Sequence, residues 1–310
     1  MIDASTEDGP DSVVMDLGTN IAGLTTFLSC LRLADALDCV MLDMNAEIGD
    51  HQPGAAVTFG EMTNGRSTDD FFYSDLILIW GGNPIYTQIP NFHILTEARY
   101  RGAKLVSISP DMNASAIRSD LWIPVRPGTD AALALSLARV IIDEGWYDAD
   151  LIREQTDLPF LVRLDNDRFL RESDLELGGS EEKLYRWDLA RGELEAANIE
   201  SLALRGSVPA LEGTFEVETP RGPVQVQPVF EKLKAKLAAF SAEEASRHCG
   251  TPPALIRRLA RMLAEAKAAT NVETMVFGKV YHGGAIQRAQ ILVFLLCGHL
   301  GRKGAGFCSY

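Results

Sequence analysis

The hydrophobic pattern of this chain changes period along its length, and each change predicts an element. Ser12-Val13-Val14-Met15-Asp16-Leu17 is a short apolar run closed by Gly18-Thr19-Asn20, as expected of a buried strand. Leu24, Phe27, Leu28, Leu31 and Ala34 then recur at helical spacing and predict a helix over 23–37. The stretch 45–64, rich in Gly, Thr and polar residues, reads as a loop. After it, Leu76-Ile77-Leu78-Ile79-Trp80 is a continuous apolar run bounded by Gly81-Gly82-Asn83-Pro84, the pattern of a strand buried on both faces.

Alternation of short apolar runs with helical stretches continues from there. A helix is expected over 91–101, stopped by Gly102, then a strand at Lys104-Leu105-Val106-Ser107-Ile108 ended by Ser109-Pro110-Asp111. Leu121-Trp122-Ile123-Pro124-Val125 is the next strand, ended by Arg126-Pro127-Gly128-Thr129-Asp130. A long helix with Leu133, Leu137, Val140 and Ile141 on one face follows, with Gly145 just past its end. Between 165 and 228 the chain is charged and weakly periodic. Phe215 to Thr219 and Pro223 to Gln227 flank Pro220-Arg221-Gly222, a hairpin signal. Helices are expected over 243–248 and 254–268, the first with Ser241 and Glu244 spaced as a capping box. Thr274-Met275-Val276-Phe277 reads as a last strand ending in Gly278-Lys279, and 287–296 as a last buried helix closed by Gly298.

Strands alternating with helices predict an α/β fold: a doubly wound, mostly parallel sheet with helices on both faces, plus a small β-hairpin insertion. The expected division is 1–40 as the first part of a split α/β domain, 41–165 as a nucleotide-binding-like α/β domain, 166–235 as the insertion, and 236–310 as a return to the first domain. No repeat occurs at a solenoid period.

Composition narrows what such a fold can do. The 310 residues suffice for two domains or one large unit with an insertion. Lys and Arg number 29 against 43 Asp and Glu, a net charge of -14, which repels phosphate backbones and disfavours nucleic acid as a partner. Arg257, Arg258 and Arg261 could suggest a DNA-reading helix pair, but Ile256, Leu259 and Leu263 make it a packing unit instead. No apolar run approaches the roughly 18 residues of a membrane span. The cysteines Cys30, Cys39, Cys249, Cys297 and Cys308 contain no CxxC pair, so neither a closed thiolate metal site nor a disulfide framework is expected. The first residues, with Asp3, Glu7, Asp8, Gly9 and Pro10, lack the features of a signal peptide.

Ligands of open parallel sheets sit beyond the carboxyl ends of the strands. Three such ends carry unusual residues here: Trp80-Gly81-Gly82-Asn83-Pro84, Ser109-Pro110-Asp111 and Gly128-Thr129-Asp130. Paired glycines admit a ligand to the backbone, and Thr129 or Asp130 opens a helix whose free amides favour phosphate. Asp111 is placed to accept ribose hydroxyls, and a carboxylate such as Asp130 can accept two hydrogen bonds from a guanine edge. Taken singly, each aspartate is equally a turn residue or a helix cap; together they suggest a nucleotide-bearing ligand with a guanine base. Gly49-Asp50-His51-Gln52-Pro53-Gly54 joins a carboxylate and an imidazole, but by spacing alone it reads as a surface loop with an Asp turn. Lys279 and His282, with Gly278, Gly283 and Gly284 around them, could hold an anion or move a proton, or form a solvated turn. His93 and His299 read as structural.

The order of these motifs resembles one family, the molybdenum oxidoreductases of the dimethyl sulfoxide reductase type. The stretches that carry it are 45–50 through 53–60, Ile79-Trp80-Gly81-Gly82-Asn83-Pro84, Ser109-Pro110-Asp111, 127–133 and 298–306. The loop at Gly49-Asp50 is most similar to the class II branch of nitrate, chlorate and selenate reductases and of dimethyl sulfide and ethylbenzene dehydrogenases. The resemblance implies a molybdenum bis(molybdopterin guanine dinucleotide) cofactor with Asp50 as protein ligand to the metal. It implies that Gly18, Thr19 and Asn20 touch a pterin. Trp80, Gly81, Gly82, Asn83, Ser109, Asp111, Gly128, Thr129 and Asp130 would hold a guanosine arm, and Gly278, Lys279 and His282 would lie near the pterins or the substrate funnel.

The chain is then expected to be the central part of a catalytic subunit, a fragment of the larger molybdopterin oxidoreductase fold. An iron–sulfur cluster segment would precede it and a closing domain would follow. Implied partners are an iron–sulfur electron-transfer subunit, a haem b subunit and a small-molecule substrate. Implied residence is the periplasm, or the cytoplasm without an export signal. The expected activity is oxygen-atom transfer, with oxyanion reduction as the commoner direction and hydrocarbon or sulfide oxidation as the alternative. Two further readings stay open. One is a nucleotide-binding domain like the central domain of thiamine diphosphate enzymes, with no role for Asp50. The other is a non-catalytic cofactor-binding module.

Overall fold

The computed structural model describes residues 1–16, 24–42, 52–61, 67–197 and 203–308. Near the start, α1 (Ile2–Asp8), β1 (Val14–Met15), α2 (Leu24–Leu37) and β2 (Val40–Met41) form a small unit in which β1 and β2 pair in parallel. The strand expected over 12–17 is only Val14–Met15 among the described residues, and Leu17 lies outside them. Residues 52–61, expected within a loop, instead contain α3 (Pro53–Phe59). Proline at its first position is pre-set for a helix, and Gly60 closes it in the left-handed region with its N–H on the Ala56 carbonyl at 2.9 Å.

The centre of the molecule is a four-stranded parallel sheet. It is built from β3 (Leu76–Trp80), β4 (Lys104–Ser109), β5 (Leu121–Pro124) and a strand from much later in the chain. Between β3 and β4 lie α4 (Pro84–Thr87) and α5 (Ile89–Tyr100); α6 (Ala114–Ile117) joins β4 to β5. After β5 come α7 (Asp130–Asp143) and α8 (Ala149–Gln155).

The insertion starts with β6 (Leu161–Arg163), α9 (Glu172–Leu175), β7 (Tyr185–Asp188) and β8 (Glu193–Ala196). It continues with β9 (Phe215–Val217) and β10 (Val224–Pro228), which pair antiparallel as the hairpin pattern requires, with Val224 opposite Val217. β6 adds on the other side of β10, and β7 pairs with β8. This part has a core of its own around Leu161, Leu170, Val217 and Val226, with Trp187 stacked on Phe215 at 4.6 Å.

The chain returns through α10 (Val229–Leu237), α11 (Ala242–Cys249) and α12 (Pro253–Glu265) to β11 (Ala269–Glu273) and α13 (Gly283–Leu296). The expected Ser241 cap is present, its hydroxyl accepting the Glu244 N–H at 3.1 Å. β11 pairs with β3, giving the order β11-β3-β4-β5. It ends before Thr274, where the pattern had placed its start; Met275–Lys279 is a short 3-10 turn instead. The physical reason is that Thr270, Asn271 and Glu273 are buried polar residues with internal partners, so the strand carries no apolar signature.

The all-apolar run of β3 serves two cores. Leu76, Leu78 and Trp80 face α7, α12 and α13 through Leu133, Leu137, Leu259 and Phe294. Ile77 and Ile79 face the other way, onto Leu95 and Ala98 of α5 and onto Phe71. Each buried aliphatic side chain contributes about 1.5–3 kcal/mol, so β3 is the strand least able to tolerate a polar replacement. Among the described residues no helix is long and apolar enough to cross a membrane.

Candidate functional site

Because the four strands are parallel and in register, their carboxyl ends share one edge. Glu273 lies opposite Trp80, Trp80 opposite Ile108, and Ser109 opposite Pro124. Beyond Trp80 the chain turns sharply at Gly81, which has φ +73°. A Cβ there would stand 2.7 Å from Val276 and 2.9 Å from the Phe277 ring, so only glycine lets the segment after β11 close against this turn. Thr274 completes that closure by donating its hydroxyl to the Gly81 carbonyl at 2.8 Å. Asn83 caps α4 and its side-chain oxygen accepts from the Ser115 hydroxyl at 2.6 Å, tying the β3 turn to α6. Gly82 lies between them.

At the end of β4, the Ser109 hydroxyl is buried and folds the turn by donating to the Asp111 carbonyl at 2.7 Å. The Trp122 indole donates to the Ser109 carbonyl at 3.1 Å from the neighbouring strand. Asp111 itself is exposed on the rim. Beside it, Pro110, Pro124, Val125, Arg126, Pro127, Cys249 and Gly250 line a cavity of about 280 Å³. Arg126 is its cation. The guanidinium is oriented by the Arg247 carbonyl at 2.9 Å, at the carboxyl end of α11. Gly128 and Thr129 complete the loop, with the Thr129 hydroxyl on the Arg126 carbonyl at 2.7 Å.

Asp130 opens α7 and turns inward. Its carboxylate is almost fully buried and accepts the Trp80 indole N–H at 2.8 Å, bonding the start of α7 to the end of β3. Burial pushes its carboxyl above the ordinary aspartate range, against the indole bond that favours the ionised form. On the opposite neighbour strand Glu273 is 1% exposed. Burial pushes the Glu273 carboxyl up to about 8; the Gln287 bond works against this, and the charge of Asp130 adds to it.

Glu273 belongs to a buried polar network. The Gln287 side-chain N–H donates to Glu273 at 2.8 Å and also to the Gln52 side-chain oxygen. The Gln287 oxygen accepts the Gly54 backbone N–H at 2.9 Å, and the Gln52 amide donates to the Met275 sulfur at 3.2 Å. Asn271 donates to the second Glu273 oxygen at 3.3 Å and accepts the Cys308 N–H at 2.6 Å.

Lys279 and His282 lie on the exposed connection from β11 to α13, at the same edge of the sheet, and Gly278 precedes them. His282 caps α13 with a left-handed backbone, φ 59°, and its ring lies 3.9 Å from that of Tyr281. His299 is buried and structural. One ring nitrogen meets the Leu263 carbonyl at 2.7 Å, the other accepts from Ala269, and burial pushes its pKa down. Gly18, Thr19, Asn20 and Asp50 lie outside the described residues. Among the described residues no group of three or more His, Cys, Asp or Glu side chains could hold a metal ion.

The structure therefore brings Trp80, Gly81, Gly82, Asn83, Ser109, Asp111, Gly128, Thr129 and Asp130 to one edge. Sequence reasoning missed Arg126, whose signal was a basic residue just beyond a strand end. It also missed Gln52, Glu273 and Gln287, which carry no signal, because polar residues spread over three segments do not look like a cluster.

Comparison with known proteins places the chain among relatives. The family described as molybdopterin oxidoreductase matches residues 1–310. The alpha subunit of dimethylsulfide dehydrogenase from Rhodovulum sulfidophilum is 37% identical, over 98% of this chain and 34% of its own length. The alpha subunit of chlorate reductase from Ideonella dechloratans is 38% identical, over 98% and 33%. The alpha subunit of perchlorate reductase from Dechloromonas aromatica is 39% identical, over 84% and 31%. The chain thus spans about a third of the length of these relatives. Acetylene hydratase from Pelobacter acetylenicus shares the fold, with a TM-score of 0.59 at 19% identity over 98% of this chain and 32% of that one.

Proposed function

The chain belongs to the molybdopterin oxidoreductase family, and from that premise we propose that it is part of the catalytic subunit of a molybdenum enzyme that transfers an oxygen atom. The reading carries a bis(molybdopterin guanine dinucleotide) form of the cofactor, with Asp50 as the protein ligand of the metal. The preferred substrate class is an oxyanion such as nitrate, chlorate or selenate, supported by the relatives named for chlorate and perchlorate reduction. The relative named for dimethylsulfide oxidation supports the opposite direction as a second reading.

The observation that carries this proposal is the gathering of the glycine turns, Asp111 and the Arg126 cavity at one carboxyl edge. That donor set fits the nucleotide part of the cofactor. A cationic guanidinium beside a cavity of about 280 Å³ suits a phosphate or a guanine carbonyl. The exposed Asp111 suits ribose hydroxyls. Gly81, Gly82, Asn83, Ser109, Gly128 and Thr129 would shape the guanosine arm's bed. Trp80 and Asp130 would hold that bed rigid through their mutual bond. Gly18, Thr19 and Asn20 would meet a pterin, and Lys279 and His282, exposed at the same edge, would face the pterin or incoming substrate. When bound, the molybdenum–pterin group supplies a two-electron centre for the oxygen-atom transfer.

Partners under this reading are an iron–sulfur electron-transfer subunit and a haem b subunit, with an iron–sulfur cluster in the same subunit and residence in the periplasm. Support comes from the relatives' being alpha subunits by name. The test is metal and guanine nucleotide content of the complete subunit containing this segment, as wild type and as Asp50→Ala. Asp50→Ala is expected to lose roughly tenfold or more in molybdenum affinity, with activity falling in proportion. Normal activity and metal content in Asp50→Ala would show the ligand assignment wrong.

A further inference from the structure

The most fully connected buried polar feature outside the strand-end turns joins β11, α13 and the start of α3. Gln52 and Gln287 are 0% exposed and Glu273 is 1% exposed. Three such side chains in an apolar interior are costly unless each polar atom finds a partner. Here they do. Gln287 reaches Glu273 with its nitrogen at 2.8 Å and Gln52 with the same nitrogen, while its oxygen takes the Gly54 N–H at 2.9 Å. α3 is seated on α13 at this same place. A Cβ on Gly54 would fall 2.4 Å from the Gln287 Cβ and 2.6 Å from the Gly284 carbonyl, so the two backbones meet without room for a methyl group. Gln52 is the residue that caps α3, and it follows Asp50 by two positions.

We infer that Glu273, acting through Gln287 and Gln52, is a positioning residue: it fixes the start of α3 on α13, and so the point from which the chain carrying Asp50 departs. The inference rests on the reading of Asp50 as metal ligand. A mere packing role would need only the volume of these side chains. A positioning role needs the directed bonds, because hydrogen bonds behind a metal-bearing segment set ligand orientation. The other buried polar side chain of α13 provides the contrast. Gln290 is 0% exposed, one turn beyond Gln287, and both its amide atoms lack a partner among the described residues.

The test uses the complete subunit purified with its cofactor, comparing Gln287→Leu, Glu273→Gln, Gln290→Leu and Asp50→Ala. The readouts are molybdenum per protein, the g-values of the Mo(V) signal after partial reduction, and melting temperature. Gln287→Leu, which keeps volume and removes the bonds, is expected to shift the g-values and to weaken metal retention by about tenfold. Gln290→Leu is expected to leave both at their wild-type values and to melt no lower. Glu273→Gln, nearly isosteric, serves if Gln287→Leu does not fold, and is expected to shift the g-values in the same direction. Wild-type g-values and metal content in both Gln287→Leu and Glu273→Gln, with Asp50→Ala altered, overturn the positioning role alone. An unaltered Asp50→Ala overturns the ligand reading, and the inference with it.

Discussion

Glu273 is a carboxyl group kept where water cannot reach it, and the proton it holds has a thermodynamic consequence. Its folded-state pKa is raised from 4.5 to about 8, chiefly by burial. The folded protein therefore prefers the protonated form over a window in which the unfolded chain has already ionised. By linkage, stability from this group is complete below about pH 4.5 and erodes as the pH rises toward 8, because across that window the folded state binds the extra proton. Glu273→Gln removes the titration while keeping the shape. The expected outcome is that wild type loses melting temperature relative to Glu273→Gln steadily between pH 5 and 8, the two curves running parallel below pH 4.5 and above about 8. Thermal scans of both proteins across pH check it, and a constant gap throughout would mean the carboxyl is already ionised when folded. Asp130 is raised in the same direction by burial and keeps the Trp80 bond in both proteins, so the difference between the two curves reports Glu273 together with its coupling to the Asp130 charge.

At the scale of elements the decisive junction is α3 on α13. Gly54→Ala adds one methyl group where the nearest atoms stand at 2.4 and 2.6 Å, one of them a backbone carbonyl that cannot rotate away. Overpacking of that kind costs roughly 1–3 kcal/mol or more, and relief requires α3 to slide off α13, breaking the Gly54–Gln287 bond. The expected result is a lowered melting temperature together with faster proteolysis around 52–61, whereas Gly60→Ala, with nothing within 4 Å, costs only the strain of a left-handed alanine. Equal losses from the two substitutions would show that the crossing is looser than described. This element was illegible in the sequence for a definite reason. Pro53, Gly54, Gly60 and the polar residues around them carry loop composition, and the signal that mattered was positional: proline at the first helical residue and glycine after the last. β11 was misplaced for the converse reason. Ala269–Glu273 buries Thr270, Asn271 and Glu273, so hydrophobicity pointed instead to Met275, Val276 and Phe277, the last two of which close against the Gly81 turn. By contrast β3, β4, β5, α7 and the β9–β10 hairpin were plain, because their apolar period and turn residues agree with where they are buried. The strand-end residues were legible through chain order alone. Arg126 was not, since the Arg247 carbonyl that orients it and the Cys249–Gly250 wall of its cavity come from the end of α11, far along the chain.

Over the whole molecule, burial is distributed unevenly, and that sets which parts open first. Among the described residues of 1–42, Ala34 is the only buried one, while Val14, Leu28, Leu33, Val40, Met41 and Leu42 are exposed. β1 and β2 are two residues each and, among the described residues, pair only with one another. A two-stranded ladder with no core beneath it among the described residues cannot offset the entropy of ordering its backbone, so α2 and this ladder are stabilised by little more than local helix formation. β3 and β4 stand at the other extreme: each is flanked on both sides by paired strands and covered on both faces. Native-state hydrogen exchange on this chain is therefore expected to divide into two tiers. Amides of α2, β1 and β2 should exchange by local opening, with protection roughly a hundredfold or more below that of Ile77, Leu78, Val106 and Ser107, which should exchange only on global unfolding. The tiers should also respond differently to denaturant. Exchange in the first 42 residues should be nearly independent of low urea, since local opening exposes little new surface, while exchange in β3 and β4 should accelerate with the full slope of unfolding. Protection in α2 equal to that in β3, with the same urea dependence, would mean the two parts unfold together and that a shared core joins them.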